Sequence, residues 1–336
     1  MTLARYMKSK LAGVSGERGV ALLVVLWIFI FLFAVAVDFS TGVRDEATAA
    51  HRYSEENEGY YLALAGFEQG LYDFLTQTPS RDLKPVDKPK DLFAAGWREE
   101  SLGRGAYRVR LADESGKINI NRVAENTIGR ILSNLGVEEP RRGILIDSIM
   151  DWRDPDDLHR VNGAESDYYL SLSPPYTAKN GPFDSVEDLL WVKGMTASLY
   201  YGYDGGDGAD SQRIGLREIF TVDSPIDRVN LRTATAPVIH ALLGIPMDKS
   251  RAFIDEREKF GEKTLADLLP LLGLGAGDAA LQMFIFTNPS VITIEAEGYA
   301  SQSGQWRRVK GVVRGGGGNR GYELIRWVDR EMGLPN

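Results

Sequence analysis

The sequence predicts an α+β protein in which a long N-terminal helix carries an antiparallel sheet and an inserted all-α domain. Three observations support this prediction. An uninterrupted apolar run fills residues 20–37. Apolar and polar residues alternate, as in half-buried strands, after Gly105 and again from Ile292 to Val328. Helical patterns fill the interval between these two strand regions, which indicates an α-helical domain inserted into a sheet.

The apolar run Val20–Val37 contains eighteen residues without a charged side chain, and it directly follows Arg18 and Gly19. A helix needs about 20 apolar residues to cross the hydrocarbon core of a bilayer, and within lipid it satisfies its own backbone hydrogen bonds. A cleaved secretory signal has a shorter apolar region. We therefore expect a membrane-inserted helix that remains on the mature protein.

The residues before the apolar run set the expected orientation. Residues 1–19 carry four basic side chains and one acidic side chain. Basic residues in front of a first apolar helix hold that end in the cytoplasm. The prediction is a single pass through the membrane, with the rest of the chain on the far side.

The helix is expected to continue beyond the membrane. Apolar residues at spacings of three and four run from Val43 to Leu75, and Pro79 ends the pattern. We predict four parts: a leader over residues 1–19, a transmembrane and stem helix over 20–78, a head formed by 79–122 with 287–336, and an inserted helical domain over 123–286. In the head, residues 81–98 are predicted to be a loop. Glu114–Gly116 is predicted to turn the strand that follows Gly105 into a hairpin with Ile118–Ile120.

The inserted part contains a weak internal repeat. Lys117–Asn121 (KININ) and Arg228–Arg232 (RVNLR) are alike, and each leads into an apolar helix. Similar blocks follow at Val186–Leu190 and Leu265–Leu269. Two such helical units resemble the helix-hairpin-helix, or SAM-like, fold.

Because that fold binds DNA elsewhere, a membrane-anchored helix-hairpin-helix protein for DNA binding or uptake is the alternative function. The second hairpin, Leu243–Met247, lacks a second glycine, and the first places Glu138 and Glu139 where a phosphate would lie. The chain also has a net charge of −8, whereas electrostatic capture of DNA requires a basic stripe. We therefore expect a packing scaffold and no nucleic-acid partner.

Two acidic clusters are candidate calcium sites. Calcium takes six to eight oxygen ligands from flexible carboxylates and carbonyls, and glycines let a loop curl around the ion. Asp204, Asp207 and Asp210 lie at intervals of three on a Gly-rich loop. The second cluster consists of Asp154, Asp156, Asp157 and Glu165. A solvated acidic loop without an ion is the alternative for the first cluster.

We expect no enzymatic activity. The chain contains no Cys and no GxSxG, P-loop or HExxH motif. Its three histidines are His51 on the predicted stem, His240 on an apolar helix face and His159 in the acidic segment DPDDLHR, and we expect structural roles for the first two.

The junction at Gly19 resembles the class III signal of type IV prepilins and type II secretion pseudopilins. The resemblance implies that a prepilin peptidase cleaves between Gly19 and Val20 and that Val20 is then N-methylated. Most members carry a Glu at the fifth mature position, which here is Val24. Since that Glu is thought to pair with a neighbour's N-terminal amine, a subunit without it suits a filament end.

A second resemblance rests on residues 149–195. The order DWRDPDD, GAESDYY, SPPY, NGPF and VKGM resembles the general secretion pathway protein K family of minor pseudopilins. This implies a pilin-like fold in the inner membrane with a periplasmic head. It further implies a cap at the tip of the type II secretion pseudopilus, with roles in starting its assembly and in protein export across the outer membrane. The implied partners are two further minor pseudopilins, similar to proteins I and J, and family members bind calcium in the inserted domain.

Overall fold

The structure is a computed structural model that describes residues 15–77, 92–93, 96–202, 214–257, 265–275, 277–300, 306–316 and 321–332. The helices are α1 (Ser15–Gln77), α2 (Glu125–Asn134), α3 (Arg141–Arg153), α4 (Ser166–Leu170), α5 (Ala197–Tyr201), α6 (Leu216–Ile219), α7 (Ala236–Leu243), α8 (Met247–Arg257) and α9 (Leu265–Leu268). The strands are β1 (Arg98–Leu102), β2 (Gly105–Asp113), β3 (Ile118–Asn119), β4 (Phe220–Thr221), β5 (Val229–Asn230), β6 (Phe284–Ile285), β7 (Val291–Tyr299), β8 (Trp306–Gly315) and β9 (Tyr322–Met332).

Helix α1 is a single stem of 63 residues, about 95 Å long at a rise of ~1.5 Å per residue. Its N-terminal half is exposed from Val20 onward, and it includes a segment long and apolar enough to cross a membrane. Its C-terminal half packs on the sheet, where Phe67, Leu71 and Phe74 are buried. The predicted stem helix is confirmed.

The sheet has five antiparallel strands in the order β1-β2-β7-β8-β9. Small residues let the stem lie close against it. A Cβ at Gly66 would lie 2.8 Å from the ring of Tyr107, and one at Gly70 would lie 3.0 Å from Ile294 and Val109. These glycines therefore allow the apolar side chains beside them to reach the sheet. The predicted C-terminal strands are confirmed, and so is the α+β fold.

The predicted hairpin after Gly105 is wrong. β2 pairs with β1, which begins at the end of the segment expected to be a loop, and with β7. Residues 118–119 instead pair in parallel with β4, inside the helical part. The side chain of Asp113 accepts a hydrogen bond from the Ser115 amide at 2.9 Å and so caps a 3₁₀ turn over Glu114–Gly116. That turn sends the chain out of the sheet rather than back along it.

The two copies of the predicted internal repeat make equivalent backbone contacts. Each copy starts with a short strand that ends in a buried asparagine, Asn119 or Asn230, and pairs in parallel with a later strand. Each copy also ends its second helix with an arginine whose guanidinium donates to the carbonyl of the residue after that asparagine. Arg153 donates to Ile120 at 2.7 Å, and Arg257 donates to Leu231 at 2.8 Å. The two helical units thus share one core, separate from the core beneath the stem.

Two adjacent buried carboxylates join the sheet to the helical part. Asp113 accepts hydrogen bonds from Asn230 at 2.9 Å and from Thr233 at 2.6 Å. Glu114 accepts from Thr221 of the helical part and, at 2.5 Å, from Thr293 of β7. Both acids are therefore bonded across the boundary, and they fix the helical part relative to the sheet and stem.

We expect Asn230→Ala to lower the free energy of unfolding by roughly 3 kcal/mol, because it leaves buried polar groups without partners. Asn230 is fully buried, and its side chain also bonds the backbone of Thr287 and Arg232. Thermal unfolding of the full chain in detergent measures the loss. The matched control is Asn126→Ala at an exposed position of α2, where a surface change costs within about 0.5 kcal/mol. Equal melting of the two variants would contradict the assigned role.

Candidate metal site on the inserted domain

Three carboxylates converge where α3 ends and α4 begins. Asp154 is the C-terminal cap of α3, and Glu165 is the N-terminal cap residue of α4. Asp156 lies on the connecting loop, where one of its oxygens accepts the Leu158 amide at 2.9 Å. Each of the three offers an oxygen atom within 4.8 Å of the other two. The fold thus brings together residues that are eleven positions apart at most in sequence.

Two of these acids, Glu165 and Asp154, have buried oxygens without a hydrogen-bond partner. Glu165 is 1% exposed, and neither of its carboxylate oxygens has a hydrogen-bond partner, nor has Oδ1 of Asp154. Burial, together with the charges of Asp151 and Asp154, raises the pKa of Glu165 to about 7. Burial and the neighbouring Asp156 also raise the pKa of Asp154. Both oxygens of Glu165 and one oxygen of Asp154 are therefore buried beside other acids, with no hydrogen-bond donor among the described residues.

The connecting loop is held by acids that are not part of the triad. Asp147 accepts from the backbone and side-chain nitrogens of Asn162, each at 3.0 Å. Asp151 is fully buried and accepts from the Arg160 amide at 3.0 Å. Its carboxylate fills the space where a side chain would stand at Gly163, so only glycine fits there. These contacts fix the loop between α3 and α4, on which Asp156 lies and after which Glu165 follows.

The arrangement fits a hard divalent cation. Calcium–oxygen bonds measure about 2.3–2.6 Å, so two ligand oxygens on opposite sides of one ion lie about 4.6–5.2 Å apart. The separations in the triad fall within that limit. Unpartnered buried oxygens are the expected state of ligands whose partner is a cation rather than a donor. The cluster of Asp154, Asp156 and Glu165 could therefore bind a metal ion.

The other residues of the predicted site divide into two groups. Asp157 is outside the triad, because its carboxylate accepts from Asn180 Nδ2 at 2.8 Å. Asp204, Asp207 and Asp210 lie outside the described residues. Sequence inspection missed Asn180, whose φ of 47° is unusual for a non-glycine residue and whose Oδ1 is buried without a partner.

The aromatic residues of the same block form packing rather than a binding cleft. Trp152 contacts the rings of Tyr169, Tyr176 and Phe183, with centroids 5.2–6.4 Å apart. Tyr169 is completely buried. This cluster packs around the C-terminal end of α3 and so supports Asp154, the first acid of the triad.

The remaining predicted positions lie elsewhere. Gly19 and Val20 fall within α1, and Val24 is 52% exposed on its apolar half. Nδ1 of His159 lies 3.2 Å from the carbonyl oxygen of the neighbouring Arg160. In the first helix-hairpin-helix turn, Arg142 pairs with Glu139 at 3.0 Å, so one of the basic side chains available to a phosphate is already neutralised.

A membrane-length helix whose second half packs on an antiparallel sheet defines a pilin-like protein, here with a helical insertion. The chain matches the sequence model of the family described as type II secretion system, protein K, over residues 109–203. The predicted resemblance to that family is confirmed.

Individual relatives agree with this match. The chain is 27% identical to type II secretion system protein K of Pseudomonas aeruginosa over 286 residues, which cover 79% of this chain and 80% of the relative. It is 41% identical to the Aeromonas hydrophila protein over 207 residues, covering 55% of this chain and 61% of that protein. A crystal structure of the GspK-GspI-GspJ complex from enterotoxigenic Escherichia coli contains a chain of the same fold. The TM-score is 0.54 at 19% identity, covering 87% of this chain and 99% of the other.

Proposed function

We propose that this chain is a minor pseudopilin that caps the tip of a type II secretion pseudopilus, starts its assembly and supports protein export across the outer membrane. The observation that carries the proposal is the division of α1 into two halves. The exposed apolar half is suited to the inner membrane and to a bundle of stems, while the other half is fixed to a folded head. The N-terminus would lie in the cytoplasm and the head in the periplasm.

Two features favour the tip over the filament body. The helical part leaves the sheet between β2 and β7 and adds more than 170 residues to the head, so a subunit stacked above it would meet a wide obstacle. Val24 replaces the acid that would neutralise the N-terminus of a neighbouring subunit. This subunit can therefore join others through its own N-terminus without receiving the next one.

The proposed role is structural, not enzymatic. The acidic triad supplies ligands, and we assign it to calcium because all three are hard carboxylate oxygens. The ion would join the end of α3 to the start of α4 and so stiffen the exposed part of the head.

The proposed partners are two minor pseudopilins similar to GspI and GspJ, the proteins found with GspK in the solved complex. Co-expression followed by purification in detergent tests this directly. Stable retention of both partners is the expected result. A head that instead retains duplex DNA, in a manner that weakens with salt, would favour the alternative function.

We expect co-expression with a prepilin peptidase to give a mature protein that begins at Val20 and carries an N-methyl group. The physical basis is the Arg18-Gly19 junction directly before the apolar helix. Terminal sequencing and mass spectrometry provide the measurement. The control is Gly19→Leu, which should leave the leader in place. An intact leader on the wild-type chain would indicate a plain membrane anchor.

A further inference from the structure

The segment Val192–Met195 (VKGM) contributes no ligand to the acidic triad, yet its lysine is directed at the loop that carries the triad. The ammonium of Lys193 donates to the carbonyl of Gly163 at 2.8 Å and to that of Asn162 at 3.3 Å. It also lies over the ring of Tyr168, 4.8 Å from the centroid. We propose that Lys193 is a positioning residue for the cation site. By bonding the loop just before Glu165, it holds the Glu165 carboxylate at the distance from Asp154 that an ion requires.

The backbone of Lys193 is itself held in place by a buried tyrosine. Its backbone amide donates to the hydroxyl of the buried Tyr169 at 3.2 Å. Tyr169 packs edge-on against Trp152, with centroids 5.2 Å apart, and Trp152 lies two positions before Asp154. The two ends of the loop that carries the site are therefore connected. The contacts run from Trp152, close to Asp154 in sequence, through Tyr169 to Lys193. Lys193 in turn bonds Gly163, two positions before Glu165.

The turn around Lys193 also has little freedom. Gly194 has a φ of 84°, in the left-handed region, and a side chain there would lie 3.0 Å from Ile144 of α3. This packing places the lysine backbone against the same helix that ends at the triad. The lysine therefore ties the loop between α3 and α4 to a rigid helix. A precise metal site needs this kind of support for its ligands.

Position and charge make opposite predictions for this residue. A positive charge close to a cation site repels the ion, so removing it would strengthen binding if charge were dominant. If positioning is dominant, removing the lysine lets the loop relax and weakens binding, since loss of an outer-shell partner typically costs about 10–100-fold in metal affinity. The sign of the change therefore identifies the role.

The test uses the full chain in detergent and titrates calcium chloride by isothermal calorimetry. We expect Lys193→Met to weaken calcium binding by at least about 10-fold, and Lys249→Met, an exposed lysine of α8, to leave it unchanged. Hydrogen exchange in EDTA should show faster exchange at residues 160–164 in Lys193→Met. If that variant does not fold, Lys193→Gln should weaken binding in the same direction, because its side-chain nitrogen is one bond closer to the backbone than the lysine ammonium and cannot reach both carbonyls.

The inference rests on the proposed cation site, and the two can fail separately. A wild-type chain that binds no calcium would refute the cation site. A wild-type chain that binds calcium while Lys193→Met binds it equally or more tightly would overturn the positioning role alone.

Discussion

Gly298→Ala is expected to destabilise the head by at least about 3 kcal/mol, because the added methyl group has no space to occupy. Gly298 lies on β7, against the stem. A Cβ there would stand 2.7 Å from the carbonyl carbon of Leu62 and closer still to the amide of Ala63 and the carbonyl of Gly59. All three neighbours are backbone atoms of a helix, so none can rotate away. The stem would have to separate from the sheet.

The measurement is thermal or urea unfolding of the full chain in detergent, with near-ultraviolet circular dichroism as the readout. A loss of that size lowers Tm by roughly 6–12 °C for a domain of this size. The matched control is Gly42→Ala, since nothing lies within 4 Å of a Cβ at that helical position. It should be neutral or stabilising by up to about 1 kcal/mol. Equal destabilisation of both variants would show that the contact at Gly298 is not the cause.

The sequence predicts the elements whose periodicity is long and uninterrupted. The stem and strands β7, β8 and β9 belong to this class, because alternation or helical spacing extends over nine or more residues in each. The repeat was also recognisable, since Asn119 and Asn230 occur in similar five-residue blocks. The five-residue β1 was missed because a short edge strand with exposed Glu99 and Glu100 shows no apolar alternation.

The failed hairpin has a different cause. Residues 118 and 120 alternate correctly for a strand, but a local pattern does not specify its partner. The partner strand β4 lies about 100 residues further along the chain, and the buried bonds of Asp113 and Glu114 redirect the backbone toward it. Tertiary hydrogen bonds, which no local pattern contains, therefore decided the topology.

For the candidate site, the sequence located the acids but not their geometry. Asp154, Asp156 and Asp157 are nearly consecutive, and only the fold separates the first two, which face Glu165, from Asp157, which is bonded to Asn180. The supporting roles of Asp151 and Lys193 were equally invisible, because they depend on where the loop carbonyls and amides lie.

Glu165→Gln is expected to abolish calcium stabilisation and, in EDTA, to make the protein more stable at pH 8. The pKa of Glu165 is raised from its ordinary 4.5 to about 7. A raised carboxyl pKa means that stability is fully present below pH 4.5 and is lost as the pH rises through 7. At ~1.4 kcal/mol per pKa unit, ionisation of Glu165 should lower the free energy of unfolding of the wild-type chain without calcium by about 2.5 kcal/mol between pH 5 and pH 8. Glutamine carries no charge, so the Glu165→Gln variant should not show this loss in the free energy of unfolding.

Calcium reverses the sign of this effect, and the reversal is the sharpest test. At pH 8 the ionised wild-type triad should gain stability on adding calcium, whereas Glu165→Gln should gain little, because affinity depends on the number of charged ligands. Thermal unfolding of the full chain in detergent at pH 5 and pH 8, each with EDTA or calcium, gives all four values. Glu218→Gln, an exposed position of α6, should follow the wild type throughout. A Glu165→Gln chain that is less stable than the wild type in EDTA at pH 8 would mean that Glu165 has a donor partner there instead of repulsive neighbours.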